Sequence, residues 1–235
     1  MNRPDLTHRY DRNFNTLSEQ DQKILAESTV TIIGLGGLGG GVCELLARIG
    51  VGHLIVADGD QFDASNLNRQ LLSTEALIGT SKAAAAADRI RQINSEVTVT
   101  CIDRYLDRTT MAEQIKASHA AMDCLDTIQA RFQLQDAANE TGIPIVSGAI
   151  AGMAGQVTTI FPGDPGYELI YGRPDSSENR GVETRTGNLG YCALCIASIQ
   201  SSECVKLLTG KGLPLRNKLL ITDMMQNSFE VIALA

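Results

Sequence analysis

The feature that most constrains this chain is a glycine cluster set between a strand and a helix. Gly34, Gly36, Gly37 and Gly39 fit the pattern G-x-G-x-x-G. A β-branched run, Thr29–Ile33, precedes them and reads as a buried strand. Residues 42–49 follow with apolar positions at helical spacing. Glycines at such a turn let backbone N–H groups approach a ligand at a helix N-terminus, where the dipole favours anions. A second strand, His53–Ala57, leads into Asp58. That carboxylate stands about twenty residues past the last motif glycine, where an acid reaches ribose hydroxyls. The order strand, glycines, helix, strand, acid predicts a nucleotide site of adenosine type. By itself it fits an NAD(P)-dependent oxidoreductase as well as an ATP-using enzyme.

Alternation continues downstream. Helices are predicted over 82–94 and 128–141, the second stopped by Gly142, and a third runs from a cap at Thr110 to about Ser118. Strands are predicted over 97–102, 120–123 and 143–146. Ser18, with Asp21 three residues on, opens a short helix to about Glu27. Such βαβ rhythm means a parallel sheet. The rhythm changes after Gly148. Residues 155–161 read as a strand, 162–188 as a long polar loop and 189–209 as one apolar helix ended by Gly210. Residues 218–223 and 228–234 read as a hairpin. The fold class is therefore α/β, a Rossmann-like doubly wound sheet. It is parallel in its N-terminal part, with antiparallel strands at the C-terminal end.

Composition narrows the function. The chain has 235 residues and a formal net charge of −7, against a generic nucleic-acid-coating protein that relies on a positive field. No uncharged apolar run approaches the roughly twenty residues of a membrane span, and the N-terminus has no apolar signal core. A cytoplasmic location is expected. The six cysteines, at 43, 101, 124, 192, 195 and 204, then read as reduced thiols rather than a disulfide framework.

The stretch after Asp58 is the most informative. Residues 58–70 read DGDQFDASNLNRQ. This resembles the D-x-D-x-V-x-x-S-N-L-x-R-Q signature of the ThiF/MoeB/HesA family, bacterial relatives of ubiquitin-activating enzymes. Gly79 to Lys82 resembles the family's G-x-x-K. Asp123, Asp126 and Arg131 resemble D-x-x-D-N-x-x-x-R, and Arg9 to Arg12 resembles the N-terminal R-Y-x-R-x. The 147–157 segment and the helix from Ser198 to Gly210 also resemble the family, so the likeness covers nearly the whole chain. It implies one adenylation domain over 1–235: an arm 1–28, a nucleotide-binding core 29–161, a crossover loop 162–188, and a C-terminal helix and hairpin 189–235.

By that resemblance the chain adenylates a carboxylate with ATP and Mg²⁺ and releases pyrophosphate. The implied substrate is the C-terminal Gly-Gly carboxylate of a small ubiquitin-like sulfur carrier in a thiamine, molybdopterin or related pathway. Such a reaction brings two anions together, so the site must neutralise charge. Arg69 and Lys82 match cations at the triphosphate. Arg12 matches an arginine that crosses a homodimer into the partner's site. Asp126 matches the Mg²⁺ carboxylate. Asp58 and Asp60, with Gly34, Gly36, Gly37 and Gly39, form the nucleotide site, where Asn66 and Gln70 orient the nucleotide or its loop.

Three departures qualify the resemblance. Thr127 stands where the family usually has Asn. The two C-x-x-C pairs of a structural zinc are reduced to one, Cys192 and Cys195, so no zinc site is expected. The loop cysteine that some relatives use for a covalent intermediate is replaced near Glu183, which implies that the chain stops at the acyl-adenylate and leaves the sulfur step elsewhere. Cys192 is a weak alternative nucleophile, and Arg173, Arg180 and Arg185 in the loop are candidate guides for a carrier tail. The alternatives are the same chemistry on a small-molecule or tRNA-nucleoside carboxylate, a non-catalytic nucleotide-binding subunit, and an NAD(P) oxidoreductase.

Overall fold

The structure, a computed structural model, describes residues 8–172 and 186–234. Five strands run parallel: β1 (Thr29–Ile33), β2 (His53–Ala57), β3 (Thr98–Ile102), β4 (Ala120–Asp123) and β5 (Ile145–Ala151). Three more, β6 (Ala154–Ile160), β7 (Lys218–Asp223) and β8 (Ser228–Ala233), extend the sheet in antiparallel fashion. The order is β3-β2-β1-β4-β5-β6-β7-β8. Because β1 has β2 on one side and β4 on the other, the carboxyl ends of β1 and β4 open at a topological switch point, where ligands bind in such sheets.

The helices are α1 (Glu19–Glu27), α2 (Gly37–Ile49), α3 (Lys82–Ile93), α4 (Arg108–Ile115), α5 (Ile128–Thr141), α6 (Tyr167–Tyr171) and α7 (Gly190–Thr209). They make two layers. α1, α2, α3 and α7 pack one hydrophobic cluster, with Leu25, Leu46, Ile90 and Ile196 fully buried. α4, α5 and α6 pack the other, around Met111, Leu134 and Tyr167. β1 is buried along most of its length because both layers cover it.

Several boundaries differ from expectation for local reasons. α2 starts inside the glycine cluster, since Gly36 is its cap and no side chain is needed there. The cap of α4 is Asp107, and Thr110 is its reciprocal partner: Asp107 Oδ1 accepts from the Thr110 N–H at 2.9 Å, and Thr110 Oγ1 accepts from the Asp107 N–H at 2.8 Å. β5 begins at Ile145 and continues to Ala151, because β6 folds back on it as a hairpin. The stretch read as a loop from 162 to 188 holds the short helix α6. Ser18 caps α1 with Asp21 as its capping-box partner. α7 is 20 residues long and reaches a mean hydropathy of 1.2 over its most apolar 18 residues, although Glu203 and Lys206 interrupt it. It packs on α2, β5 and β6 as a core helix.

The α2–α7 contact depends on a small residue. A Cβ at Gly41 would stand 2.8 Å from the Ala197 Cβ, too close for two carbons. Gly41→Ala is expected to force α2 off α7 and cost about 1–3 kcal/mol, read as a lower urea midpoint. An unchanged midpoint would show that the helices can separate freely.

Candidate active site

The glycine loop is built by close approach. Gly34 has φ +88°, and its N–H bonds the Ala57 carbonyl at 2.9 Å. A Cβ there would stand 2.5 Å from the Cys124 carbonyl oxygen, at the end of β4. A Cβ at Gly39 would run into the Gly34 carbonyl. Gly36 faces the Gln70 amide, and Gly37 faces Ala193 and the Arg69 stem. The loop is thus held against β4 while α2 presents its N-terminus to the switch point.

Asp58 braces the loop. Its Oδ2 accepts from the Leu35 N–H at 2.7 Å, and its Oδ1 accepts from the Asp60 N–H at 2.8 Å. Burial raises its pKa by more than these bonds lower it. Each oxygen keeps a lone pair for a further donor. Asp60 pairs with Lys82, whose Nζ lies 2.8 Å from Asp60 Oδ2, and the Lys82 side chain is only 8% exposed. Tyr105 donates its hydroxyl to the other Asp60 oxygen. Burial opposes the charge on Asp60, yet the Lys82 and Tyr105 bonds together hold its carboxyl below the usual range. The bond to Asp60 pushes the Tyr105 hydroxyl up to about 12, so it stays a neutral donor.

The 58–70 segment positions two further residues. Asn66 is buried, and its Oδ1 accepts from the Asp63 N–H at 3.0 Å while its carbonyl caps Gln70 at 2.9 Å. Its side chain therefore shapes the loop. Gln70 is buried against Gly36, and its Oε1 has no hydrogen-bond partner among the described residues. A buried amide oxygen left unpaired costs free energy that a ligand donor or water would recover. Arg69 donates to the Ser65 carbonyl at 2.9 Å and to Asn68 Oδ1 at 3.0 Å, which leaves it on the rim beside Gly37.

Asp126 is exposed, with no hydrogen bond or ion pair among the described residues. Thr127, not Asp126, caps α5. Asp126 contributes with Asp58 and Asp60 to the field at Tyr105, so the three acids lie near one another. Beneath Asp126 is a buried polar cluster. Arg131 binds Asp123, donates to Ser147 Oγ at 3.1 Å, and donates to the carbonyls of Leu125 at 2.5 Å and Gly148 at 2.9 Å. Ser147 and Tyr167 donate to the same Asp123 oxygen at 2.7 and 2.5 Å. Burial opposes the Arg131 charge, but Asp123 outweighs it. The cluster thereby fixes the turn that carries Asp126. Asp123 and Arg131 were visible as motif letters, but only the fold shows that their work is internal.

Arg12 is not with the others. It lines a groove of about 650 Å³ with Leu45, Ile49, Ser201, Lys206 and Lys211, at the C-terminal ends of α2 and α7. The arm is pinned there by Tyr10, whose hydroxyl accepts from Asn94 at 2.9 Å. A 13-residue α2 separates this groove from the glycine loop, so Arg12 lies about 18 Å along the helix from its own site.

Cys192 is buried and its thiol reaches the Ala154 carbonyl at 3.3 Å; burial, with Cys195 adding, pushes its pKa up. Those surroundings suit packing rather than nucleophilic attack. Among the described residues no group of three or more His, Cys, Asp or Glu is placed to hold a metal ion. Arg173, Arg180, Glu183 and Arg185 lie outside the described residues.

Comparison with known proteins gives the class. The ThiF family model matches residues 10–235. The SAMP-activating enzyme E1 of Haloferax volcanii is 35% identical over 95% of this chain and 84% of its own length. The molybdopterin-synthase adenylyltransferase of Escherichia coli is 34% identical over 91% of this chain and 86% of its own length. MOCS3-1 of Zea mays, an adenylyltransferase and sulfurtransferase, is 31% identical over 98% of this chain, which spans 50% of that protein. A crystal structure of E. coli MccB with AMPCPP and MccA shares the fold, with a TM-score of 0.82 at 20% identity, over 97% of this chain and 72% of MccB. The fold and these relatives define a nucleotide-dependent adenylyltransferase. The chain belongs to the ThiF family.

Asp123→Asn would leave the Arg131 charge buried without its counter-ion. The expected loss is about 3–5 kcal/mol, measured as the shift in a urea or thermal unfolding transition. A shift under about 1 kcal/mol would mean that the pair behaves like a surface bridge.

Proposed function

We propose that this protein uses ATP to adenylate the C-terminal carboxylate of a small ubiquitin-like sulfur carrier ending in Gly-Gly, acting as a homodimer in the cytoplasm. The whole chain acts as one adenylation domain in this reading. The reading is supported by the α2 N-terminus at the switch point, by Asp58 bonded to the glycine loop, by Lys82 paired with Asp60 next to it, by Arg69 against Gly37, and by the exposed Asp126, which joins Asp58 and Asp60 in the field at Tyr105.

In the reaction a carboxylate oxygen of the carrier bonds to the α-phosphorus of ATP. The bond from that phosphorus to the bridging oxygen breaks, and pyrophosphate leaves with the electron pair. Asp58 holds the ribose hydroxyls. The backbone N–H groups from Gly36 onward, at the start of α2, hold phosphate oxygens. Lys82 and Arg69 offset the charge that gathers as two anions meet. Asp126 fits an Mg²⁺ site because Mg²⁺ keeps several waters and needs only one or two carboxylates. Bound there, Mg²⁺ neutralises phosphate charge. Arg12, too far from its own site, serves the partner's. Exposed Leu67, Leu71, Tyr191 and Leu194 beside α2 and α7 supply apolar surface for that contact. The carrier meets the exposed Phe229 and Val231 of the edge strand β8.

ATP–pyrophosphate exchange with Gly-Gly-ended carriers tests the reading, and no exchange with any of them would overturn it. Lys82→Ala is expected to slow exchange by about two to three orders of magnitude. Mixed with Arg12→Ala under conditions that exchange subunits, it should regain about one quarter of wild-type activity, because each mixed dimer keeps one intact site. No recovery would remove Arg12 from a shared site.

Asp58 also sets a pH dependence. Only its ionised form accepts both ribose hydroxyls, and its pKa is raised by burial. ATP affinity should therefore begin to fall on acidification above the ordinary aspartate range, while an Asp58→Asn variant stays weak and flat there. Calorimetric titrations of both proteins across pH measure this, and parallel profiles would exclude Asp58 as the cause.

A further inference from the structure

Tyr167 lies in the stretch that reads as a loop in sequence, yet it is fully buried. Its place is fixed before its hydroxyl is counted. Gln135 of α5 grips the start of α6 twice. Its Oε1 accepts from the Tyr167 N–H at 2.8 Å, and its Nε2 donates to the Pro165 carbonyl at 3.2 Å. The ring stands edge-on to Phe132, with centroids 5.8 Å apart, and lies 5.9 Å from Tyr171. A phenylalanine would meet all of these contacts. The hydroxyl serves one atom more, Asp123 Oδ2, at 2.5 Å. Burial raises its pKa, so it stays a neutral donor.

Ser147 and Arg131 share that oxygen. What the carboxylate holds is the peptide that leads into Asp126. Asp123 Oδ1 accepts from the Leu125 N–H at 3.0 Å, and Arg131, paired with Oδ2, donates to the Leu125 carbonyl at 2.5 Å. That carbonyl belongs to the same planar unit as the Asp126 nitrogen. One residue further, Thr127 is fixed as the cap of α5. The Asp126 backbone is therefore set from both sides, while its side chain stays exposed and unpaired among the described residues. A carboxylate with no bond of its own takes its position from the backbone beneath it.

We propose that Tyr167 is a positioning residue for Asp126. Through Asp123 and Arg131 its hydroxyl orients the Leu125–Asp126 peptide, and with it the carboxylate that meets the metal of a bound nucleotide. The assignment rests on the reading of Asp126 given above and adds the support that holds it. The link from Tyr167 to Asp123 crosses 44 positions, so no motif spacing marks it. Removing a group that orients a metal ligand weakens metal binding by about ten-fold or more.

Calorimetry in the absence of a carrier, where no reaction runs, tests it. Wild-type protein should bind ATP with Mg²⁺ more tightly than ATP in EDTA. Tyr167→Phe keeps the ring and its packing. It should bind Mg-ATP about ten-fold more weakly, with ATP in EDTA unchanged. In an Asp126→Ala background the same substitution should change neither affinity, because the group that it positions is gone. Phe132→Leu disturbs the ring contact and spares the hydroxyl. It should lower the urea midpoint and leave the preference for Mg-ATP at its wild-type value. Wild-type Mg-ATP affinity in Tyr167→Phe would overturn the proposal. So would an equal loss in EDTA, or an undiminished loss in the Asp126→Ala background, since the hydroxyl would then act elsewhere. A preference lost in Phe132→Leu as in Tyr167→Phe would assign the effect to packing and overturn it too. Wild-type protein that binds both forms equally would overturn the Mg²⁺ reading of Asp126, and this assignment with it, before any substitution is made.

Discussion

The guanidinium of Arg131 lies inside the molecule, and the elements around the site are arranged to satisfy it. A buried cation is tolerable only when a counter-ion and its remaining N–H groups are met. Asp123 at the end of β4 supplies the charge, Ser147 and the Gly148 carbonyl come from β5, and the Leu125 carbonyl comes from the turn between β4 and α5. Tyr167 of α6 completes the Asp123 side. Gln200 of α7 then holds the Asp123 carbonyl at 2.9 Å from the other layer of the molecule. The same turn presents the Cys124 carbonyl that only a glycine at position 34 can approach. The glycine loop and the exposed Asp126 thus share one foundation.

Charge at the opening is distributed with similar economy. Lys82 is nearly buried, which a lysine seldom tolerates alone, and Asp60 keeps it paired. Asp60 is in turn fixed by Tyr105. Asp126 is left without such a partner among the described residues. An acid that binds a protein cation and an acid that stays free have different uses, and here both act on the field at Tyr105.

Much of this was legible in sequence. β1, β2, β4 and β7 have the predicted limits because their β-branched or apolar runs are short and bounded by glycine, turn residues or acid. The glycine turn and its brace Asp58 were legible because a close backbone approach restricts both residue type and spacing. Other features depended on contacts distant in sequence. β5 outruns its apolar pattern because β6 pairs with it to Ala151. Asp107 displaces Thr110 as cap because either residue can occupy a reciprocal capping box. Asn66 reads as orienting the nucleotide or its loop, and the fold shows its bond within its own turn. Tyr105 carries no spacing signal, since its relation to Asp60 crosses 45 positions.

The sheet order also bears on how the chain finds its fold. β5 with β6, and β7 with β8, are hairpins whose partners are adjacent in sequence and close quickly. β1 and β4 are different. Thr29 donates to the ring of His119 across 90 positions, and the whole β2–α3–β3–α4 passage must be threaded between them first. The seam between β1 and β4 is the one on which the glycine turn closes. The antiparallel end of the molecule therefore has the means to form early, whereas the glycine turn is assembled among the last contacts, after the slowest loop closure in the sheet.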